Sequence, residues 1–272
     1  MDSQPETLRS FRLRWMHLVL LLGVVLLVIW LNAAPAGLLG KADAVGYAVC
    51  HRIDLRSFHL GERQLPMCAR CSGIYLGAML GLLFQSVLYP RCGSFPGRKV
   101  LAFVVVFGLA FAVDGLNSYL ALYPGAPGLY EPDNLYRLLT GTGLGIAMSA
   151  VLVPAFNQTV WKDWQPKAAF TDMRMFLLLL LLGLGLDGLV LLENPLLLYP
   201  LALISAVGVL VILTMVYGMA AVLALRKENA YLTWRELLLP LALGFILAMV
   251  QIGLIDAGRF LLTGTWDGFH LG

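Results

Sequence analysis

Long apolar segments separated by short polar ones run along the whole chain. Each apolar segment is continuous and rich in Leu, as in residues 176–185, and does not alternate as a membrane-spanning strand would. At about 1.5 Å per residue, roughly twenty helical residues cross a hydrocarbon core of about 30 Å. The pattern therefore predicts seven transmembrane helices, at approximately residues 15–34, 71–90, 98–123, 135–156, 174–193, 196–225 and 236–257.

Composition supports this assignment. The 272 residues are 60% hydrophobic and 13% charged, and the mean hydropathy is +0.81. Because a soluble domain carries about 25% charged residues, the sequence predicts an all-α, polytopic helical protein of the cell membrane, with the lipid bilayer as its immediate partner. The net charge of +3 comes mostly from short loops and does not indicate a nucleic-acid partner. Assembly into an oligomer or a membrane complex stays open.

The basic residues predict the orientation. With the N-terminus inside, twelve Lys and Arg residues fall on the inner side and seven on the outer side, and five of those seven lie within residues 41–70. The positive-inside rule therefore favours an inside N-terminus. The segment after Arg9, Arg12 and Arg14 is longer than the apolar core of a signal peptide, so we expect the first helix to be retained.

Residues 50–73 concentrate the reactive side chains, with three of the four cysteines and two of the four histidines. Cys68 and Cys71 form a C-x-x-C motif, and Cys50 precedes it by eighteen residues. Three thiolates and one imidazole are a common tetrahedral set for zinc. The spacing predicts a site for zinc, or another transition metal, at the three cysteines, with His51 or His59 as the fourth ligand.

Two other interpretations of these cysteines stay open. A C-x-x-C motif near a helix N-terminus has a lowered thiolate pKa and can exchange a disulfide, as in membrane oxidoreductases that work with quinones. Alternatively, a structural disulfide or zinc ion holds the outer loop together. Cys92 follows the second predicted span and is expected on the opposite side of the membrane.

Polar residues within the predicted spans point to a cavity on the outer side. Asp114 and Asn117 share a face of the third span, and Arg137 and Thr140 open the fourth. Asp187, Asp256 and Arg259 lie near the outer ends of later spans. We predict Asp114, Arg137 and His51 as catalytic residues, and a buried Asp114–Arg137 ion pair is the structural alternative. The predicted substrate-binding residues are Arg52, Arg56, Arg70, Asn117 and Thr140.

One set of motifs is familiar as a whole. It comprises Cys50-His51-Arg52, Arg56-Ser57-Phe58, Pro66-Met67-Cys68-Ala69-Arg70-Cys71, Gly73-Ile74-Tyr75, Asp114-Gly115 and Arg137-Leu138-Leu139-Thr140-Gly141. With these motifs, residues 45–150 resemble a family of uncharacterised prokaryotic membrane proteins, catalogued only as a domain of unknown function. The resemblance implies a fold of membrane helices and brings no established activity.

These observations predict two regions and a first hypothesis of function. Residues 1–150 form a membrane domain with the signature, and residues 151–272 form a helical extension, in which Leu261–Thr265 echoes Leu138–Thr142 as in a degenerate repeat. The hypothesis is a membrane-embedded enzyme whose outward-facing metal site acts on a lipid, isoprenoid or quinone-like substrate. The alternatives are a quinone-coupled thiol–disulfide oxidoreductase, a transporter of a small anion or metal, and a structural subunit of a membrane complex.

Overall fold

A computed structural model gives the fold and describes residues 6–123, 125 and 128–268, with the backbone alone for residues 6–16. The side chains of Arg9, Arg12 and Arg14 thus lie outside the described part. The helices are α1 (Glu6–Ala33), α2 (Gly37–Val49), α3 (Ala69–Leu88), α4 (Arg98–Leu120), α5 (Asn134–Val160), α6 (Met173–Leu191), α7 (Pro195–Ala224) and α8 (Trp234–Thr263). Four short strands accompany them: β1 (His59–Leu60), β2 (Arg63–Gln64), β3 (Cys92–Ser94) and β4 (Gln165–Ala168).

Six of these helices, α3 to α8, are long and apolar enough to cross a membrane. The part of α1 from His17 onward and α2 pass the same test together, although they are bent by 105° at a short break, so the number of spans is up to seven. This confirms the predicted class of a helical, multi-pass membrane protein. The sequence did not predict α2, because its 13 residues are too few to stand out as a span.

The closest helix pair is α3 and α5, which meet through glycines. A Cβ atom on Gly77 of α3 would lie 2.5 Å from the carbonyl oxygen of Thr142 on α5. In the other direction, a Cβ atom on Gly141 would collide with the carbonyl of Arg70. Small residues let membrane helices approach backbone to backbone. The start of α3 is thereby fixed against the first turns of α5, where the predicted polar residues lie.

The C-terminal part of the chain folds back over α2. The Tyr47 hydroxyl lies 2.9 Å from Thr263 Oγ1 and donates to the Thr265 carbonyl, also at 2.9 Å. The guanidinium of Arg259 lies over the Tyr47 ring, 3.9 Å from its centroid. Residues beyond 151 therefore help to hold the segment that leads into Cys50.

Cys92 lies apart from the other three cysteines. It begins β3, which pairs in parallel with β4, and it follows the C-terminal end of α3. Because α3 has 20 residues and hence a length of about 30 Å, Cys92 and Cys68 lie at opposite ends of this span. The structure thus separates Cys92 from the C-x-x-C motif, as its position in the sequence predicts.

Candidate metal centre and arginine cluster

Three cysteines converge where α2 ends and α3 begins. Cys50 is the C-cap of α2, Cys68 is the N-cap of α3, and Cys71 lies in the first turn of α3. Their sulfur atoms all lie within 4.8 Å of one another. Among the described residues, these three cysteines are the group of metal-ligating side chains that converge this closely. All three are free thiols; Cys50 and Cys68 are buried and Cys71 is partly exposed. Three sulfurs at these distances are able to hold a metal ion, and the partly exposed Cys71 marks the side from which solvent reaches the group.

The loop after Cys50 fixes the position of its sulfur. Arg52 has a φ angle of 51°, which turns the chain so that the backbone N–H of Arg52 donates to Cys50 Sγ at 3.4 Å. The backbone N–H of Cys68 donates to the same sulfur at 3.3 Å. The Arg52 side chain donates to Asp43 and to the Trp266 carbonyl, each at 3.0 Å. Arg52, predicted to bind substrate, is thus engaged in holding this turn.

Cys50 is the most acidic of the three thiols. Its pKa lies well below the ordinary value for a thiol, chiefly because the Cys68 and Cys71 thiols donate hydrogen bonds to it. The same hydrogen bond from Cys68 to Cys50 raises the pKa of Cys68 to about 12. Metal binding requires the deprotonated sulfur, so a lowered thiol pKa favours Cys50 as a metal ligand.

Neither predicted histidine ligand joins the cysteine group. The backbone N–H of Ile53 donates to His51 Nδ1 at 3.1 Å, which assigns the proton of the neutral ring to Nε2. Burial lowers the pKa of His51, and the positive charges of Arg56, Arg70 and Arg137 lower it further. In this tautomer Nε2 is a hydrogen-bond donor and has no lone pair for a metal.

His59 lies outside the cluster as well. Its Nε2 lies 2.9 Å from Asp54 Oδ1, and both side chains are substantially exposed in the loop between α2 and α3. A metal held by the three sulfurs therefore keeps its fourth coordination position for a group from outside the described cluster. An open fourth position is the arrangement found at catalytic rather than structural zinc sites.

Asp114 is completely buried and is held by Arg70 rather than Arg137. Arg70 Nε donates to Asp114 Oδ2 at 3.0 Å, and Arg70 Nη2 makes a second, shorter bond to the same oxygen. Tyr130 donates to Asp114 Oδ1 at 2.8 Å, and Thr140 Oγ1 lies 3.4 Å from Oδ2. Because both carboxylate oxygens have partners, Asp114 orients Arg70; the alternative Asp114–Arg137 pair is not formed.

Arg137 and Arg56 stand beside this pair. Arg137 Nη1 donates to Asn134 Oδ1 at 2.8 Å, whereas Arg137 Nε is buried without a hydrogen-bond partner among the described residues. Arg56 Nη2 donates to the Ser118 carbonyl at 2.8 Å. Burial and the charge of Arg70 lower the pKa of Arg56. Three guanidinium groups thus surround the buried Asp114 carboxylate, and the cluster has an excess of positive charge.

Two polar residues of this cluster were missed by the sequence analysis. Tyr130 was missed because it lies in an irregular loop without helical periodicity. The side-chain amide of Asn117 fixes this loop by donating to the Tyr130 carbonyl at 2.9 Å. Asn117, predicted to bind substrate, is therefore engaged in the loop. Ser118 accepts a hydrogen bond from Arg70 at 3.0 Å. Its position four residues after Asp114 on one helix face could have revealed it.

Comparison with known proteins finds a family that this region resembles. Residues 50–151 match the family model described as Predicted membrane protein (DUF2085). An uncharacterized protein of Methanocaldococcus jannaschii is 27% identical over 124 residues, which cover 45% of this chain and 72% of that protein. An uncharacterized protein of Methanothermobacter thermautotrophicus is 28% identical over 103 residues, covering 38% of this chain and 83% of that one. No solved structure matches the chain. The part of the chain that carries the cysteines and the arginine cluster is thus similar to the DUF2085 family of predicted membrane proteins.

Proposed function

We propose that this protein is a membrane-embedded, metal-dependent enzyme that acts on an amphiphilic substrate with an anionic head group. The observation that carries the proposal is the convergence of Cys50, Cys68 and Cys71 within 4.8 Å of one another. Zinc is the metal that we assign, because it prefers thiolate ligands and tetrahedral geometry. Bound there, it would supply a Lewis acid whose fourth position takes a water molecule or a substrate oxygen.

The arginine cluster supports an anionic substrate group. Arg56 and Arg137 keep donors that the Asp114 carboxylate does not neutralise, and Arg70 is held rigidly by that carboxylate. A guanidinium presents paired donors that match a phosphate or carboxylate. His51 adds a donor through Nε2. In this proposal Arg52, Asn117 and Asp114 position the other groups, Thr140 lies beside Asp114, and His59 has no part.

The location of the site supports a substrate drawn from the membrane. Cys68 and Cys71 stand at the first turn of α3, which is one of the candidate spans, so the sulfur cluster lies at the end of the bundle. A lipid, isoprenoid or quinone-like molecule would bring its head group to this level while its tail stays in the hydrocarbon. Such a substrate combines the anion that the arginines favour with access from the bilayer.

Elemental analysis of the full chain, purified without chelator, tests the metal. We expect about one zinc ion per chain, and we expect its loss in the double variant Cys68→Ser/Cys71→Ser. Cys92→Ser is the matched control, because this buried cysteine lies at the other end of α3 and its removal should leave the metal in place. Each variant is compared by size-exclusion chromatography to establish that it is folded. A folded wild-type protein without metal would refute the proposal.

The anion is tested by thermal stability in detergent with dodecyl phosphate as the probe. A ligand that binds the native state at one hundred times its dissociation constant stabilises it by about 2.7 kcal/mol. We expect stabilisation by dodecyl phosphate but not by dodecyl maltoside, and we expect Arg137→Gln to abolish the difference. Equal stabilisation of wild type and variant would show that the arginine cluster is not the anion site.

A quinone-coupled thiol oxidoreductase is the second candidate, and one observation favours it. The three thiols are free, mutually hydrogen-bonded and close enough for disulfide exchange after small movements. Counting thiols by mass spectrometry with and without reductant separates the two candidates. A Cys68–Cys71 disulfide in metal-free protein supports the oxidoreductase, whereas metal-bound thiols support the metalloenzyme.

A further inference from the structure

A second candidate binding site lies between α1 and α8, away from the cysteine cluster. It is a pocket of about 490 Å³, within the size range of small-molecule sites, and its lining is almost entirely apolar. Ile29 and Leu254 line it and remain 59% and 70% exposed. Because both helices belong to the candidate membrane-spanning segments, the pocket opens toward the hydrocarbon of the bilayer.

One buried carboxylate interrupts this apolar lining. Asp256 is 3% exposed and lines the pocket. Its Oδ2 accepts a hydrogen bond from Trp30 Nε1 at 3.2 Å, but its buried Oδ1 has no partner among the described residues. A buried polar atom without a partner is destabilising, typically by about 1–3 kcal/mol, so a group that fills this position would be bound favourably.

The surrounding charges select the chemistry of that group. Arg259 lies one helical turn after Asp256 and contributes positive charge near the carboxylate. Because a carboxylate and a guanidinium together carry no net charge, the position gives no net attraction to a head group of either sign. A hydroxyl group is neutral and can donate the hydrogen bond that Oδ1 lacks.

The depth of Asp256 suits the head group of a membrane alcohol. With 30 residues α8 is about 45 Å long and exceeds a hydrocarbon core of about 30 Å, so its ends project beyond the core. Asp256 lies about 10 Å from the C-terminal end of α8, close to the hydrocarbon boundary. From there Met249 and Leu26 continue the lining toward the middle of the bilayer.

We propose that this pocket binds a membrane alcohol, an isoprenoid or other long-chain molecule whose hydroxyl donates a hydrogen bond to Asp256 Oδ1 while its tail lies along Met249 and Leu26. Trp266 lies at the same pocket and is joined to the metal-site loop through Arg52. The binding itself does not depend on a metal at the cysteines. The two proposals therefore stand or fall separately.

Photolabelling of the full chain in phosphatidylcholine nanodiscs tests the proposal. The probe is a farnesyl-length alcohol that carries a diazirine in its chain, and the control probe is its methyl ether, which has the same tail but no hydroxyl donor. We expect the alcohol to label peptides from residues 26–33 or 249–260 roughly tenfold more than the ether, which corresponds to one hydrogen bond to a carboxylate. This comparison uses the wild-type protein and so does not depend on the folding of a variant.

A pair of glycine variants locates the labelled site. A side chain on Gly253 would project into open space beside the pocket, because its Cβ atom would meet nothing within 4 Å. Gly253→Phe should fill the pocket and abolish the labelling. Gly185 of α6 is equally free of neighbours within 4 Å and does not line this pocket, so Gly185→Phe should leave the labelling unchanged. Asp256→Leu should reduce the alcohol signal to that of the ether.

Several outcomes would overturn the proposal. Equal labelling by the alcohol and the ether would show that Asp256 recognises no hydroxyl group. Labelling of other helices in preference to α1 and α8, or labelling that survives Gly253→Phe, would place the alcohol elsewhere. The zinc content of Gly253→Phe is measured in parallel; because the proposals are independent, it should equal that of wild type whichever way the labelling falls.

Discussion

The buried pair of Arg70 and Asp114 allows a sharp test of the site's electrostatics. Asp114→Asn preserves the shape of the side chain and an acceptor for Tyr130, but it leaves the Arg70 guanidinium, which is 14% exposed, without a counter-charge. Breaking one side of a buried ion pair typically lowers the free energy of unfolding by about 3–5 kcal/mol. The nearby charges of Arg56 and Arg137 add to this effect, so we expect a value in that range for Asp114→Asn.

The measurement is unfolding in mixed micelles by titration with sodium dodecyl sulfate, followed by tryptophan fluorescence. Arg70→Met should have a similar effect, because it leaves the buried carboxylate uncompensated. The double variant Arg70→Met/Asp114→Asn contains neither charge and should lose clearly less than the sum of the two single losses. We expect a coupling energy of at least about 2 kcal/mol from this cycle.

Asp163→Asn provides the matched control at the other end of the bundle. Asp163 pairs with Arg91, but these two side chains are 50% and 30% exposed, so the expected loss is at most about 1 kcal/mol. The reasoning is refuted if Asp114→Asn loses no more stability than Asp163→Asn. It is equally refuted if the losses at Arg70 and Asp114 are additive.

Two further predictions concern helix packing and the support of the cysteines. Gly77→Leu should separate α3 from α5 and prevent stable folding, because even a Cβ atom would lie 2.5 Å from the Thr142 carbonyl oxygen. Gly108→Leu is the control and should be tolerated, because this position faces open space. Recovery of monodisperse protein in detergent measures both variants. Arg259→Gln should lower zinc affinity by roughly 10- to 100-fold in a chelator competition, because Arg259 donates to the Cys50 carbonyl at 2.7 Å. Unchanged affinity would show that Arg259 does not help to position Cys50 for the metal.

The class of fold was predictable because the bilayer restricts a spanning segment to a narrow set of lengths and compositions. Every predicted span has a corresponding helix. The ends shift by a few residues, most at α1, which begins at Glu6, and at α8, which continues to Thr263. The short helix α2 was not predictable in this way. Its placement depends on burial of Tyr47 and Val45 against distant helices, and no local pattern encodes that contact.

The residues that form the arginine cluster around Asp114 were predictable, but the arginine that pairs with Asp114 was not. The sequence indicated that polar residues on separate spans meet near the cysteines, because hydrocarbon leaves them few alternatives. Which arginine reaches Asp114 depends on the rotation of α3 against α5. The glycine contacts fix α3 against α5, and in this packing Arg70, rather than Arg137, donates to the carboxylate. The exclusion of His51 from the ligand group similarly depends on one backbone N–H, that of Ile53.

The support of the loop around Cys50 extends beyond the region that matches the family model. Residues 50–151 contain all three cysteines and the three clustered arginines, yet Arg259 and Trp266 provide hydrogen bonds to the Cys50 and Arg52 turn from outside that region. These contacts, together with the pairing of Arg52 to Asp43, stabilise the positive φ angle of Arg52. A fragment that ends at residue 151 would keep every sulfur and lose part of what orients them. Residues beyond 151 therefore support the same site as the matched region, and tests of metal binding require the whole sequence of 272 residues.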